Sequence, residues 1–133
     1  MPHLILEHSS NLEDRLDLPA LLSRLHRAVL QTGTFPEKGV RTRFAPRPSC
    51  RIADGHPDNA FIHLVLRIGA GRDLETRKRA GDSIFGVLCD AVAEDQDQNP
   101  LALSFEIQEI DPELSWKKNN LAGWMDERSR GSK

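Results

Sequence analysis

Apolar and polar positions alternate along this chain with a plan that is used twice. Leu4-Ile5-Leu6 is a short apolar run flanked by His3 and Glu7, the length and composition of a buried strand covering Pro2 to His8. A polar turn, Asn11 to Asp17, leads into Leu18, Leu21, Leu22, Leu25, Ala28 and Val29, which recur at helical spacing with Arg24, Arg27 and Gln31 on the other side. Asp17 can cap that helix with its carboxylate, Pro19 sits in the first turn where its missing N–H does no harm, and Gly33 follows the last turn. Val40 to Phe44 then alternates as a strand, with Arg41 and Arg43 projecting from one face. Pro46 and Pro48 are expected to end it, and Cys50 to Ala53 to return as the second arm of a hairpin before the turn Asp54-Gly55-His56-Pro57.

The second half repeats the plan. Ala60 to Gly69 is the strongest strand signal, rich in β-branched and aliphatic residues with nothing to break it. Gly69-Ala70-Gly71-Arg72 closes it, and Asp73 caps a long helix from Leu74 to about Asp95 with Ala80, Ile84, Val87, Leu88, Ala91 and Val92 on its buried side. Leu101 to Ile110 alternates as a fourth strand, Leu101, Leu103, Phe105 and Ile107 against Ser104, Glu106 and Gln108. Strand, helix, strand therefore occurs at about 2–48 and again at about 60–110. A crossover helix between strands makes each pair parallel, which predicts an α/β (α+β) fold: a four-stranded sheet with two helices on one face. The other face is left bare, and copies of the same chain are the economical cover. Asp111 to Lys118 is expected to give an edge strand and Asn119 to Glu127 a short helix to a neighbour, so that 111–127 is an intersubunit segment; Arg128 to Lys133 is expected to fray.

Composition narrows the picture. At 133 residues the chain is expected to be a single domain, 1–133, able to bury a core without metals or disulfides. A hydrophobic fraction of 38% against 29% charged residues implies a thin core, a shortage that oligomerisation would ease. The net charge is -2 and the basic residues are dispersed, so no nucleic-acid footprint is visible. No segment is apolar enough to cross a bilayer and no basic-then-apolar leader opens the chain, which predicts no membrane partner and a cytoplasmic protein. Cys50 and Cys89 read as reduced, mostly structural thiols. The histidines His3, His8, His26, His56 and His63 show no ligand spacing, so no metal is expected. Gly69 to Arg72 lacks the third glycine and the partner acid of a dinucleotide fingerprint, and no nucleophile elbow is present.

Candidate chemistry lies at the start. A proline after the initiator permits removal of Met1, which would leave Pro2 as a free secondary amine fixed to the end of a strand. Taken alone, such a proline is usually just the second residue of a protein that begins with a strand. An α-amino group titrates near ~7.7 to 8.0, a prolyl amine is more basic, and burial or nearby positive charge lowers either value toward neutrality. Arginines would depress the amine and also hold carboxylates of an anionic substrate in bidentate fashion. The candidates are Arg41, Arg43 and Arg72. Parallel strands start side by side, which puts Arg41 near Pro2; Arg72 would reach the amine only from an antiparallel repeat or an adjacent subunit. An arginine on a strand is more often part of a solvated or ion-paired face, and the glycines before Arg72 can serve the turn alone.

Together the motifs carry a resemblance. Pro2-His3, Asp17-Leu18-Pro19, Thr32-Gly33 with Phe35-Pro36, Gly39-Val40-Arg41-Thr42-Arg43 and Ala53-Asp54-Gly55 are followed by Ala60-Phe61, Ile68-Gly69-Ala70-Gly71-Arg72 with Leu74-Glu75, Leu101 through Ile107, and Lys118-Asn119-Asn120. In this combination, from Pro2 to about Leu121, the sequence resembles the 5-carboxymethyl-2-hydroxymuconate Δ-isomerase family of the tautomerase superfamily. The resemblance implies a homotrimer of tautomerase-like double β-α-β subunits and a cofactor-free isomerase acting on an anionic dienol diacid in homoprotocatechuate meta-cleavage. It implies that Pro2 takes the 2-hydroxyl proton and returns a proton at a distant carbon to give the 2-oxo diacid. It also assigns Arg41 and Arg72 to substrate binding, with Arg43 matching but without a role. The tail after Leu121 is longer than the family core. Two other readings remain beside this one, a non-catalytic trimeric ligand-binding or interaction protein on the same fold and a tautomerase with another enol substrate.

Overall fold

The strict alternation of the first strand decides which way the sheet faces. In β1 (His3–Ser9), Leu4, Leu6 and His8 are buried, while His3, Ile5 and Glu7 stay partly exposed on the opposite face. β3 (Ala60–Gly69) follows the same rule, burying Ala60, Ile62, Leu64, Leu66 and Ile68. The structure, a computed structural model, describes residues 1–131. The remaining strands are β2 (Arg41–Arg47) and β4 (Leu101–Ile110), and the sheet order is β2-β1-β3-β4. β1 runs parallel to β2 and β3 parallel to β4, whereas β1 and β3 pair antiparallel.

Two long helices cover the Leu4 face. α1 (Leu18–Gln31) is capped by Asp17, whose carboxylate accepts from the Ala20 N–H at 3.1 Å, and buries Leu18, Leu21, Leu25, Ala28 and Val29. α2 (Leu74–Gln98) is capped by Asp73 accepting from Thr76 N–H at 2.7 Å. Its fully buried stripe is only Ala80, Ile84, Leu88 and Val92, with Phe85, Val87 and Ala91 packed partly buried beside it. The two helices pack against each other and form one core with the sheet. A third helix, α3 (Leu121–Gly131), buries no residue.

The expected double strand-helix-strand plan and the one-sided helix layer are present, and five local expectations are corrected. The second strand begins at Arg41 and runs through Pro46 to Arg47. It lies at the sheet edge, where a residue without an N–H leaves no ladder bond unmade on its open side. Cys50 to Ala53 forms no returning strand; the chain turns there, with Ala53 at φ 53° and Gly55 at φ 85°. α2 continues to Gln98, because Asn99 amide donates to the Asp95 carbonyl at 2.8 Å and carries the last turn past Asp95. Asp111 to Lys118 is not a strand. Asp111 accepts from Glu113 N–H at 2.9 Å and sets a short 3-10 turn at Pro112–Leu114, after which the backbone is extended and unladdered. Of the tail expected to fray, Arg128 to Gly131 belongs to α3, and the last two residues lie outside those described.

One polar tie joins parts that are distant in sequence. Arg15 grips both oxygens of Asp95 on α2, at 3.1 and 2.6 Å, and also donates to the carbonyls of Asp58 at 2.9 Å and Pro100 at 3.1 Å. The Asp95 side chain is 7% exposed, so removing one partner strands a mostly buried charge. Asp95→Ala is accordingly expected to lower stability by about 3 kcal/mol, measured as a shift of the urea midpoint with an unchanged denaturant slope.

Candidate active site

The antiparallel β1–β3 junction brings four strand ends together. His3 lies opposite Arg41 on one side and Arg67 on the other, so the starts of β1 and β2 adjoin the ends of β3 and of its parallel partner β4. Pro2 is buried at this point. Its carbonyl accepts from Arg41 N–H at 3.0 Å, which clamps the first residues to β2. Gly39 passes close beside: a methyl group added there would sit 3.5 Å from Pro2 Cδ and 4.0 Å from Met1 Cα.

A cavity of about 420 Å³ opens here, walled by Met1, His3, Arg41, Trp116, Lys117 and Lys118 together with the Gly69-Ala70 turn. No carboxylate lines it among the described residues. A groove of the same volume, about 420 Å³, lies between α2 and β4 against Phe85, Phe105 and Ile107. That groove is mainly apolar and remote from the amino terminus, so the cationic cavity is the better place for acid–base chemistry.

Electrostatics of the cavity favour neutral bases. The free amine in this chain is that of Met1, and it is held below its ordinary value of 8.0, first by partial burial and then by the charges of Lys117, Arg41 and Arg72. His3 is likewise held below 6.5, by burial and then by Arg43, Arg41, the terminal amine and Arg67. Arg43 Nη1 donates to His3 Nδ1 at 3.1 Å, which fits an unprotonated acceptor nitrogen. The Met1 side chain rests against the site, its sulfur 3.6 Å from Arg41 Nη1 and 3.9 Å from Asn119 Nδ2.

The residues singled out in the sequence are distributed unequally. Pro2 is hydrogen-bonded to Arg41, which lines the cavity together with Met1, while Pro2 itself lies behind Met1 and outside the lining. Arg43 points along the bare sheet face to His3, outside the cavity lining. Arg72 comes close enough for its charge to act on the amine from within the same chain, because β3 is antiparallel to β1. Its guanidinium is engaged elsewhere, donating to the carbonyls of Gly69 at 3.4 Å and Thr34 at 3.3 Å and lying 4.9 Å over the Phe35 ring. Gly71, at φ 120°, needs its glycine for the turn that delivers Arg72. Periodicity gives no signal for Lys117 or Lys118, since they follow the last strand in a stretch without pattern; Lys118 falls within the Lys118-Asn119-Asn120 motif, and Lys117 is marked only as a cation between it and Trp116. The 111–127 segment also folds back on its own chain, where Lys38 pairs with Asp126 at 2.6 Å. Among the described residues no cluster of three or more His, Cys, Asp or Glu could hold a metal.

Comparison with known proteins identifies the family. Residues 2–125 match the family described as 5-carboxymethyl-2-hydroxymuconate isomerase. The chain is 41% identical over 121 residues to the 5-carboxymethyl-2-hydroxymuconate Delta-isomerase of Escherichia coli, covering 91% of this chain and 96% of that protein. It superimposes on a crystal structure of a 5-carboxymethyl-2-hydroxymuconate isomerase from Deinococcus radiodurans R1 with a TM-score of 0.85 and 40% identity, covering 93% of each chain. At 16% identity, the structure of a member of the cis-3-chloroacrylic acid dehalogenase family still gives a TM-score of 0.64 over 95% of this chain and 89% of its own, a likeness of fold alone. The chain therefore belongs to the 5-carboxymethyl-2-hydroxymuconate isomerase family, isomerases of the tautomerase superfamily.

Proposed function

We propose that this protein isomerises 5-carboxymethyl-2-hydroxymuconate to its 2-oxo form without a cofactor, through the amine of Pro2 set free by removal of Met1. The observation that carries this reading is the position of Pro2, buried and clamped to Arg41 directly behind Met1, which lines a cavity with cations and, among the described residues, no carboxylate. The relatives' name describes a six-carbon dienedioate whose 2-hydroxyl makes it a dienol. Its 5-carboxymethyl arm adds a third carboxylate, so the diacid expected from the sequence is here a tricarboxylate.

In the proposed reaction the Pro2 nitrogen accepts the proton of the 2-hydroxyl. The O–H electrons form C2=O, the C2=C3 pair moves to C3=C4, and the C4=C5 pair takes a proton from the prolinium to make a C5–H bond. The amine is regenerated and no oxidant or reductant is consumed. Negative charge grows on the 2-oxygen as the proton leaves, and Arg41, always charged and lining the cavity, is placed to stabilise it or to hold the neighbouring carboxylate. Arg72 adds positive potential, and its two long hydrogen bonds are weak enough to be exchanged for a carboxylate. Met1 has to leave, because it ties up the nitrogen and lays its sulfur against Arg41.

The bare sheet face supports assembly of copies of the chain. Ile5, Phe61 and Val65 are partly exposed there among His3, Glu7 and His63, and Trp116 and Trp124 are exposed in the carboxy-terminal segment. We take the single domain, 1–133, to form a homotrimer that works in the cytoplasm in homoprotocatechuate meta-cleavage.

Intact mass of the purified protein is expected to lack the initiator methionine, and the trimmed protein to turn over 5-carboxymethyl-2-hydroxymuconate; activity in a preparation that keeps Met1 would sink the proline mechanism. Pro2→Ala should lose about 10²–10⁴-fold in kcat while keeping the wild-type circular dichroism spectrum and oligomeric mass. Since the protonated amine cannot accept the hydroxyl proton, and burial with the nearby cations lowers the terminal amine at this end of the chain, the acidic limb of kcat/KM against pH should lie below the ordinary value of a prolyl amine. A limb at or above that value would show that burial and the cations do not act on the base. Arg41→Ala is expected to cost about 10²–10³-fold in kcat, whereas Arg72→Ala should chiefly raise KM, by about 10-fold; steady-state kinetics separate the two.

A further inference from the structure

We infer that Lys117 is the residue that recognises the third carboxylate of the substrate, the one on the carboxymethyl arm, and so sets the preference for the branched dienol over the same dienol without the arm. This rests on the function proposed above and goes further by naming which side chain reads the feature that gives the substrate its identity.

The geometry supplies the argument. The proton that Pro2 returns must reach C5, and the carboxymethyl arm is attached to C5. C5 carries both that arm and the C6 carboxylate, so both are held within a few bonds of the amine when the proton is returned, and the arm's carboxylate is the one that the unbranched dienol lacks. A cation that serves it must stand beside the amine and must not already be spent on a protein acid. Arg41 reaches the site from β2, and Arg72 is turned onto the Gly69 and Thr34 carbonyls. Lys117 comes from the other wall, in the segment after β4, and lines the same cavity as Met1 and Arg41. Among the described residues it has no ion-pair or hydrogen-bond partner, in contrast to Lys38, Arg15, Arg47 and Arg77, each of which meets a carboxylate. Its charge also acts to lower the terminal amine, ahead of Arg41 and Arg72. Its neighbour Trp116 lines the same cavity.

Lys117 is exposed and supports no other part of the fold, so a change there leaves the chain folded. The test compares Lys117→Met, which keeps length and loses charge, with Lys117→Arg. Both are assayed on 5-carboxymethyl-2-hydroxymuconate and on 2-hydroxymuconate, at a pH above the acidic limb so that the protonation state of the amine does not enter. Lys117→Met should lower kcat/KM for the branched substrate by about 10–100-fold, the range of a charge-assisted hydrogen bond, and change that for the unbranched one by less than about threefold; Lys117→Arg should keep most of the wild-type ratio.

A second measurement does not need turnover: quenching of tryptophan fluorescence by propane-1,2,3-tricarboxylate and by pentanedioate, with the wild type favouring the tricarboxylate and Lys117→Met losing that preference. Tricarboxylate binding that depends on Lys117, without isomerisation of either dienol, would uphold this assignment and refute the proposed reaction. Isomerisation with a substrate preference untouched by Lys117→Met would uphold the reaction and overturn the assignment. A wild type that prefers the tricarboxylate in neither assay overturns it as well.

Discussion

The antiparallel ladder between β1 and β3 is the constraint on which the rest of the molecule depends. Each half of the chain is a parallel strand pair with a crossover helix, and such a pair places its strand starts together at one end and its strand ends at the other. Joining the halves antiparallel puts the starts of β1 and β2 beside the ends of β3 and β4. Pro2, Arg41, the Gly69–Arg72 turn and the segment after Ile110 are thereby gathered at one edge of the sheet from four parts of the sequence. A parallel junction would leave Arg72 a full strand length from the amine.

What collects there is charge without compensation. Several cations elsewhere are matched locally, Arg15 with Asp95, Arg47 with Glu7, Arg77 with Glu109, Lys38 with Asp126. The cavity holds Arg41, Lys117 and Lys118 with, among the described residues, no carboxylate in its lining. Self-repulsion of this kind costs stability, and a fold selected only for stability would set an acid among them. The same repulsion favours a polyanion and lowers the terminal amine and His3, the two properties on which the proposed reaction draws. The core that supports it is slim: α2 commits only every fourth residue fully to the interior, and the tie between Arg15 and Asp95 locks its far end to the loop before α1 and to the strand that follows.

Legibility followed the range of the interactions. Strands and helices whose periodicity matches a one-sided core could be read directly, and so could the Asp17 and Asp73 caps, since each acts within four residues. Pro46 inside a strand could not, because only the sheet order reveals that β2 is an edge. Nor could the absence of a strand after Ile110, where local capping by Asp111 prevails over a weak extended pattern.

For the site, the sequence by itself determined the residue chemistry: a proline ready to become an amine, an arginine at the start of the neighbouring parallel strand, and the motifs that place the chain in its family. Tertiary structure decided which of these groups meet. It showed that Arg72 reaches the amine electrostatically while its guanidinium is held by carbonyls and an aromatic ring. It also brought in Lys117, which no period or motif had marked. The physical reason is that the field at an amine sums charges by distance in space, and chain order carries no record of that distance until the antiparallel junction folds the two halves together.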